Sequence, residues 1–346
     1  MRRLAFIPFV LIVLSLSGCS AAFYYAEFIR PSDRYFPSDL YVMGLAQRAA
    51  TEANVAPVYT DGIPYEELKG IPKQTADLAI KSLKETVEEL GRYDFTKVII
   101  KESQINADVF AMPPFSSEEI DSIGDIYDLD GIISLDGFEM LIKTRGDVNV
   151  INGIDASGVP VRVPEFSKES EVRVTLLWRL YDCRRNEMID EYQESYERFF
   201  GRVSYSEEDI NQIKPEDMSL LDVAGAAAYD YYTRISPHWE EDYRKYYYTG
   251  STELQAIATD LQATGDWERA ALKWKELTTS ENLKVKYRAT YNMAVASEIL
   301  GRPKVAKTWI DRAIAINPEK MARNYAKKID KQILIYEVVN RQLGIN

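Results

Sequence analysis

The chain has one histidine and two cysteines in 346 residues. A lone imidazole excludes the paired-histidine metal sites such as HExxH, and two cysteines exclude a disulfide scaffold. Glycine and proline are sparse, at 17 and 14, which excludes a collagen-like or low-complexity chain. No sustained basic run occurs, and acidic residues outnumber basic ones 54 to 42. Nucleic acid is therefore not an expected partner. The patterns GxxxxGK[ST], GxGxxG and GxSxG are absent, so the common phosphate cradles and the hydrolase elbow are missing. What remains is apolar mass: 46% of residues are hydrophobic and 12% aromatic. That is enough for packed cores, and the length suits two domains.

Only one long apolar run is present, at residues 4–16, broken by Pro8 and Ser15 and preceded by Arg2 and Arg3. It is shorter than the roughly 20 apolar residues a bilayer span needs, and it fits a secretory signal. Leu16-Ser17-Gly18-Cys19 follows, and this motif resembles the bacterial lipobox. The resemblance implies a signal peptide over 1–18 and acyl chains, palmitate among them, on Cys19. Two or more such chains anchor a protein stably. Cys183 is then the only free thiol, and no intramolecular disulfide is expected. Ser20, by similarity to enteric lipoprotein sorting, implies the outer membrane. Because no acidic cluster follows Cys19, the periplasmic face is the expected address.

Charge divides the rest. Residues 20–249 hold 24 basic and 43 acidic residues, net −19, and residues 250–346 hold 16 and 11, net +5. We expect an anchor and tether over 19–38, a mixed α/β domain over 39–249, and a helical domain over 250–346.

In the front half, residues 40–46 read as a buried strand. Residues 74–90 read as a helix, with Leu78, Leu83, Val87 and Leu90 near helical spacing. A strand begins at 97–100. Ser116-Ser117-Glu118-Glu119 is a helix start, and the apolar runs 131–135 and 138–142 are strands. From Val172 to Leu180 apolar residues alternate with others, Cys183-Arg184-Arg185-Asn186 makes a turn, and 188–199 returns as a hairpin. A helix from about Ser219 carries Gly225-Ala226-Ala227-Ala228, small enough for close packing. This order predicts an α+β, mixed α/β sandwich, partly antiparallel.

The back half repeats itself. Gly265-Asp266-Trp267-Glu268-Arg269-Ala270 and Gly301-Arg302-Pro303-Lys304-Val305-Ala306 lie 36 residues apart, and the same offset relates Ala258 to Ala294 and Trp274 to Ile310. This resembles the tetratricopeptide repeat, with a period two residues longer than usual and no closing proline in the first unit. Residues 321–343 would form a last helix. In such repeats the inner groove comes from the first helix of each unit. Aligning Ala258 with Ala294 places Gln255, Thr259 and Gln262 there, then Arg288, Tyr291 and Glu298, then Asn324, Lys327 and Lys331. The set is polar and mildly basic, suited to an extended peptide bearing a carboxylate or an acidic stretch.

Taken together, Arg30-Pro31, Gln47-Arg48, Ile235-Ser236-Pro237-His238-Trp239, Arg244-Lys245-Tyr246-Tyr247, Gly265-Asp266-Trp267 and Ala271-Leu272-Lys273-Trp274 resemble a family of Gram-negative lipoproteins. That resemblance implies a mixed α/β front domain with tetratricopeptide-like helices behind, and brings no assigned activity.

His238 stands at an element entry with no second imidazole and is expected to be structural. Cys183, in the hairpin turn with no base beside it, is expected to be inert. Asp128, Asp130, Asp136 and Glu139 could be a glycosidase pair or a Ca²⁺ cluster, but their spacing does not match an EF-hand loop, and they read better as a turn feeding a strand. No catalytic residue, metal or cofactor is expected. Tyr229, Tyr231, Tyr232, Tyr243, Tyr246, Tyr247 and Tyr248 suggest a seam between domains, or a surface for sugars. The expected function is a non-enzymatic, lipid-anchored protein-binding or scaffold module of the envelope. The alternative is a carbohydrate or peptidoglycan binder, with a glycosidase less favoured.

Overall fold

The computed structural model describes residues 21–49, 58–61, 70–88, 92–97, 110–154, 156–211 and 220–345. It has a mixed α/β region followed by a run of helices. Two compact units divide it: an α/β unit of Arg30–His238 with the segment from Val338 onward, and a helical unit of residues up to Ile29 with Trp239–Glu337. The charge change had placed the boundary near Gly250. It falls eleven residues earlier, because a strand before Gly250 packs with the helices. The expected tether over 19–38 also holds a paired strand, β1 (Ala21–Arg30).

In the α/β unit, β2 (Val42–Gln47) carries the buried run anticipated at 40–46. It lies parallel to β4 (Asp94–Lys97) and to β5 (Gly131–Ile154). A short β3 (Val58–Asp61) also pairs parallel with β5. β6 (Pro160–Asp182) and β7 (Glu187–Ser204) continue antiparallel, giving the order β4-β2-β5-β6-β7. The turn between β6 and β7 is the one read at Cys183-Arg184-Arg185-Asn186.

Successive residues of these strands face opposite sides. Met43, Leu45, Ile133, Leu135, Trp178 and Leu180 face α1 (Ile71–Glu88) and α4 (Leu220–Ile235). Ala46, Ile132 and Tyr181 face α2 (Ser117–Tyr127), through Ile120. After Leu135 the parity changes, and Phe138, Met140 and Ile142 join the α1–α4 side. A register shift between Leu135 and Gly137 causes this, adding one residue, Asp136, on β5. Gly137 is required there, since a Cβ would lie 2.7 Å from that of Leu177. Ser116 caps α2 in a full capping box with Glu119, as the Ser-Ser-Glu-Glu run predicts. On α4, Ala224, Ala227 and Ala228 are buried, but a Cβ at Gly225 would meet nothing. The close approach uses the alanines and not that glycine. A short α3 (Glu207–Asn211) follows β7. Leu90, residues 98–100 and Ser219 lie outside the described residues.

The helical unit pairs α5 (Thr252–Thr264) with α6 (Trp267–Leu277), and α7 (Leu283–Ile299) with α8 (Pro303–Ile316), ahead of α9 (Lys320–Gln342). The 36-residue offset holds in three dimensions. Gly265 and Gly301 take φ of +67° and +74° at the turns, a left-handed backbone that glycine adopts without a Cβ clash. Ala258 and Ala294, Ala270 and Ala306, and Trp274 and Ile310 are all buried. Asp266 caps α6 by accepting from the Arg269 N–H.

Candidate functional site

The inner face of the helical unit is built from α5, α7 and α9, the first helix of each unit. Across it runs β8 (His238–Tyr247). Tyr247 donates its N–H to Asn292 Oδ1 at 2.7 Å, and Asn292 Nδ2 donates to the Tyr247 carbonyl at 2.7 Å. One amide side chain on α7 therefore satisfies both backbone groups of an extended residue. Three residues earlier, Arg244 forks onto Glu298, with Nε and Nη2 at 2.6 and 2.9 Å from its two oxygens. Tyr325 of α9 donates its hydroxyl to the same carboxylate at 2.6 Å. Burial pushes the Arg244 pKa down, and its bonds to Glu298 and Asp242 more than reverse that, leaving it raised. Gln262 of α5 donates to Tyr246 Oη at 3.3 Å. Tyr246 itself packs on Trp267 and Trp274. β1 pairs with β8 and sends Tyr24 onto Trp267 and Phe28 under the Arg244 guanidinium.

The groove residues expected from the repeat are thus distributed unevenly. Gln255, Thr259, Gln262, Lys327 and Lys331 are exposed. Tyr291 is not: it is 1% exposed, edge-on to Tyr247 and beside Tyr325. Glu298 is equally buried, and Arg288 donates to Thr249 Oγ1 at 2.7 Å. Helical spacing places a residue on a face but does not say what covers that face. Here β8 covers the α7 part of it while Asn324 is exposed like its α5 and α9 neighbours, so these residues do not form one open groove.

The carboxylates weighed earlier do not converge either. Asp136, fully buried, accepts from Arg48 at 3.0 Å, Arg179 at 2.9 Å and Tyr181 at 3.0 Å, and from the Ser134 hydroxyl. Both arginines also donate to backbone carbonyls, of Pro113 and Met112. Asp130 binds the backbone N–H groups of Tyr41 and Val42 and pairs with Arg184. Burial pushes its carboxyl up, and these partners more than reverse that, leaving it below the usual range. Asp128 caps α2 in a left-handed conformation, and Glu139 sits on β5 opposite Thr175. Among the described residues no group of three or more His, Cys, Asp or Glu is placed to hold a metal. Burial, helped by Asp182, Asp130 and Asp121, pushes the Cys183 thiol up to about 12. His238 packs edge-on against Tyr232. The tyrosine cluster divides between two cores: Tyr231 and Tyr232 in the α/β unit, Tyr246 and Tyr247 in the helical unit.

One surface escaped the sequence reading. Beyond Lys143, β5 and β6 run on together to a turn at Gly158, while β7 accompanies them as far as Phe166. On one face of this arm, Val148, Val150 and Ile154 are 60%, 65% and 75% exposed, opposite Phe166, Pro164 and Pro160. Among the described residues the other edge of β5 carries no partner strand past Lys143. At the root of the arm a cleft of about 470 Å³ lies between Lys143, Arg145, Glu169, Glu171, Phe199 and Phe200. The strands are marked in the sequence, where Val148, Val150 and Val159, Val161, Val163 alternate on either side of Gly158, but alternation does not say that neither face is covered.

A family described as a domain of unknown function, DUF8603, matches residues 47–247. The chain belongs to the DUF8603 family. A second domain of unknown function, DUF6340, matches residues 256–333, within the helices. No curated protein matches the chain. Among solved structures, a homologue of a neuraminyllactose-binding haemagglutinin from Helicobacter pylori is 12% identical, with a TM-score of 0.26, over 57% of this chain and 82% of that one. The hypothetical protein CT253 of Chlamydia trachomatis is 13% identical, with a TM-score of 0.24, over 56% and 97%. Likenesses of that size do not define a shared fold. The motifs that resemble the lipoprotein family are mainly structural in place: Arg48 on Asp136, Arg244 on Glu298, Trp267 and Trp274 in the core.

Proposed function

We propose that the chain is a lipoprotein held by acyl chains on Cys19 at the periplasmic face of the outer membrane. In this reading it acts as a non-enzymatic protein-binding module of the envelope. The observation that supports protein binding is the uncovered arm. Val148, Val150 and Ile154 form an apolar stripe on a strand whose second edge pairs with no strand past Lys143 among the described residues, and such an edge takes up a partner strand through backbone bonds while the stripe selects its side chains. The partner is accordingly an envelope protein presenting an extended, apolar segment. The inner face of the repeats supports the same style of recognition in cis, since it holds β8 through Asn292.

The experiment places a photo-crosslinking residue at Val150 in cells, with Gln255 as the control position. One discrete protein adduct from position 150, lost in Val148→Ser/Val150→Ser with an unchanged melting curve, is the expected result. No adduct from the arm, together with retention of that double variant on purified sacculi, would turn the assignment to a peptidoglycan binder. Anchoring is read separately: Cys19→Ala abolishes incorporation of a fatty-acid probe.

A further inference from the structure

The two-stranded sheet of the helical unit has an inner and an outer face. Tyr24 and Phe28 of β1 and Arg244 and Tyr246 of β8 turn inward, as described above. Alternation therefore puts Phe23 and Tyr25, with Tyr243 and Lys245, on the outer face. The rings are 53%, 63% and 42% exposed. They touch one another, with Tyr243 centroids 5.4 Å from Phe23 and 6.2 Å from Tyr25. Two ammonium groups flank them: Lys245 Nζ 4.8 Å over the Phe23 ring and Lys328 Nζ 5.0 Å over that of Tyr243. Three clustered, exposed aromatic rings are costly in water and need an occupant.

Position in the chain identifies the occupant. β1 begins at Ala21, two residues after Cys19, and Phe23 is four residues after it. Even fully extended, four residues reach only about 14 Å, so Phe23 is held beside the headgroup layer of the leaflet that takes the acyl chains. Tyrosine and phenylalanine favour that zone, where an apolar body and a polar tip are both satisfied, and lysine beside them meets lipid phosphates. Acidic residues on the same face, Glu27 and Glu241, stand two residues from Tyr25 and Tyr243 and limit the patch. Asp242, bound to Arg244, also lies 3.6 Å from Lys328 Nζ, which leaves Lys245 as the main cation for phosphate.

We infer that Phe23, Tyr25 and Tyr243, with Lys245 and Lys328, form a membrane-docking patch that seats the helical unit in the lipid headgroup layer next to the acylated Cys19. The inference rests on the lipoprotein reading above. It assigns to β1 a second role, as a rigid continuation of the anchor.

The test uses the full-length acylated protein in vesicles of phosphatidylethanolamine and phosphatidylglycerol. A nitroxide is attached at Tyr25→Cys, at Phe23→Cys, or at the control Leu272→Cys, which is exposed on α6. Half-buried Cys183 is blocked by comparison with unsubstituted protein. The expected result is severalfold lower collision with a water-soluble nickel chelate, and higher collision with oxygen, at positions 23 and 25 than at 272. Fatty-acid labelling is scored on the same preparation. Labelled protein with equal nickel access at all three positions overturns the patch and leaves the anchor standing. Unlabelled protein overturns the anchor, and the patch with it.

Discussion

Replacing Asn292 by alanine should cost the helical unit about 4 kcal/mol. Asn292 is fully buried and Tyr247 is 3% exposed, so water does not replace the lost amide. The Tyr247 N–H and carbonyl, each bonded at 2.7 Å, would both be left without that partner. A buried polar group stripped of its bond costs about 1–3 kcal/mol, so two groups give about 2–6 kcal/mol. With a urea m-value of about 2 kcal/mol/M, the midpoint falls by roughly 2 M. Equilibrium urea unfolding followed by far-ultraviolet circular dichroism reads this directly. Gln262→Ala removes a 3.3 Å bond at an exposed site and should change stability by less than about 0.5 kcal/mol. Asn292→Asp sharpens the argument. A protonated carboxyl donates and accepts like the amide, whereas the carboxylate only accepts and faces a carbonyl. Its folded pKa is therefore raised above the unfolded value. The variant keeps its stability below the unfolded pKa, about 3.9, and loses it as pH rises through the folded value. If Asn292→Ala shifts the midpoint no more than Gln262→Ala does, β8 is not held by this clamp.

Three further outcomes follow from the same geometry. Asp136→Ala strips buried Arg48 of this carboxylate and leaves Arg179 with Glu191 alone, 2.8 Å from its Nε, and should destabilise the α/β unit by about 3–5 kcal/mol; a loss under about 1 kcal/mol in the same urea titration contradicts the closed network. The Cys183 thiol, pushed up to about 12, should react with iodoacetamide at pH 8 far more slowly in native protein than in guanidinium, and its raised pKa should lower stability as pH climbs past about 8.5, the unfolded value; equal rates would refute its burial. A fragment of residues 250–346 lacks β8, so Asn292 and Glu298 lose Tyr247 and Arg244; scanning calorimetry should show no cooperative transition, and a sharp melt at the full-length temperature would contradict the role of the strand.

Much of the architecture was legible because it rests on local rules. The capping box at Ser116, the alternation from Val172 to Leu180 and the 36-residue echo of Gly265 in Gly301 each depend on neighbours within one element or one repeat. What was not legible depends on distant partners. Nothing near Tyr291 announces that residues 238–247 will lie over it. Arg48 and Arg179 meet Asp136 across separations of 88 and 43 residues, and a single extra residue on β5 turns that carboxylate toward them. The arm was missed for another reason: its alternation resembles that of a half-buried strand, and exposure on both faces leaves no mark in the pattern. Cys19 lies outside the described residues, and its motif is read from sequence alone.

The pairing of β1 with β8 has a consequence in time. β1 waits for a partner roughly two hundred residues downstream, and Ser32 waits longer still, for Gln342, which binds both its N–H and its carbonyl. At about 5–20 residues per second of synthesis, β1 would stand alone for about 10–40 s. Neither unit can close until the final helix has been made. Such a chain does not mature from its front end as it emerges. It assembles late and all at once, and until then β1, rich in aromatic side chains and with its backbone unpaired, is a substrate for whatever protects unfolded chains on the way.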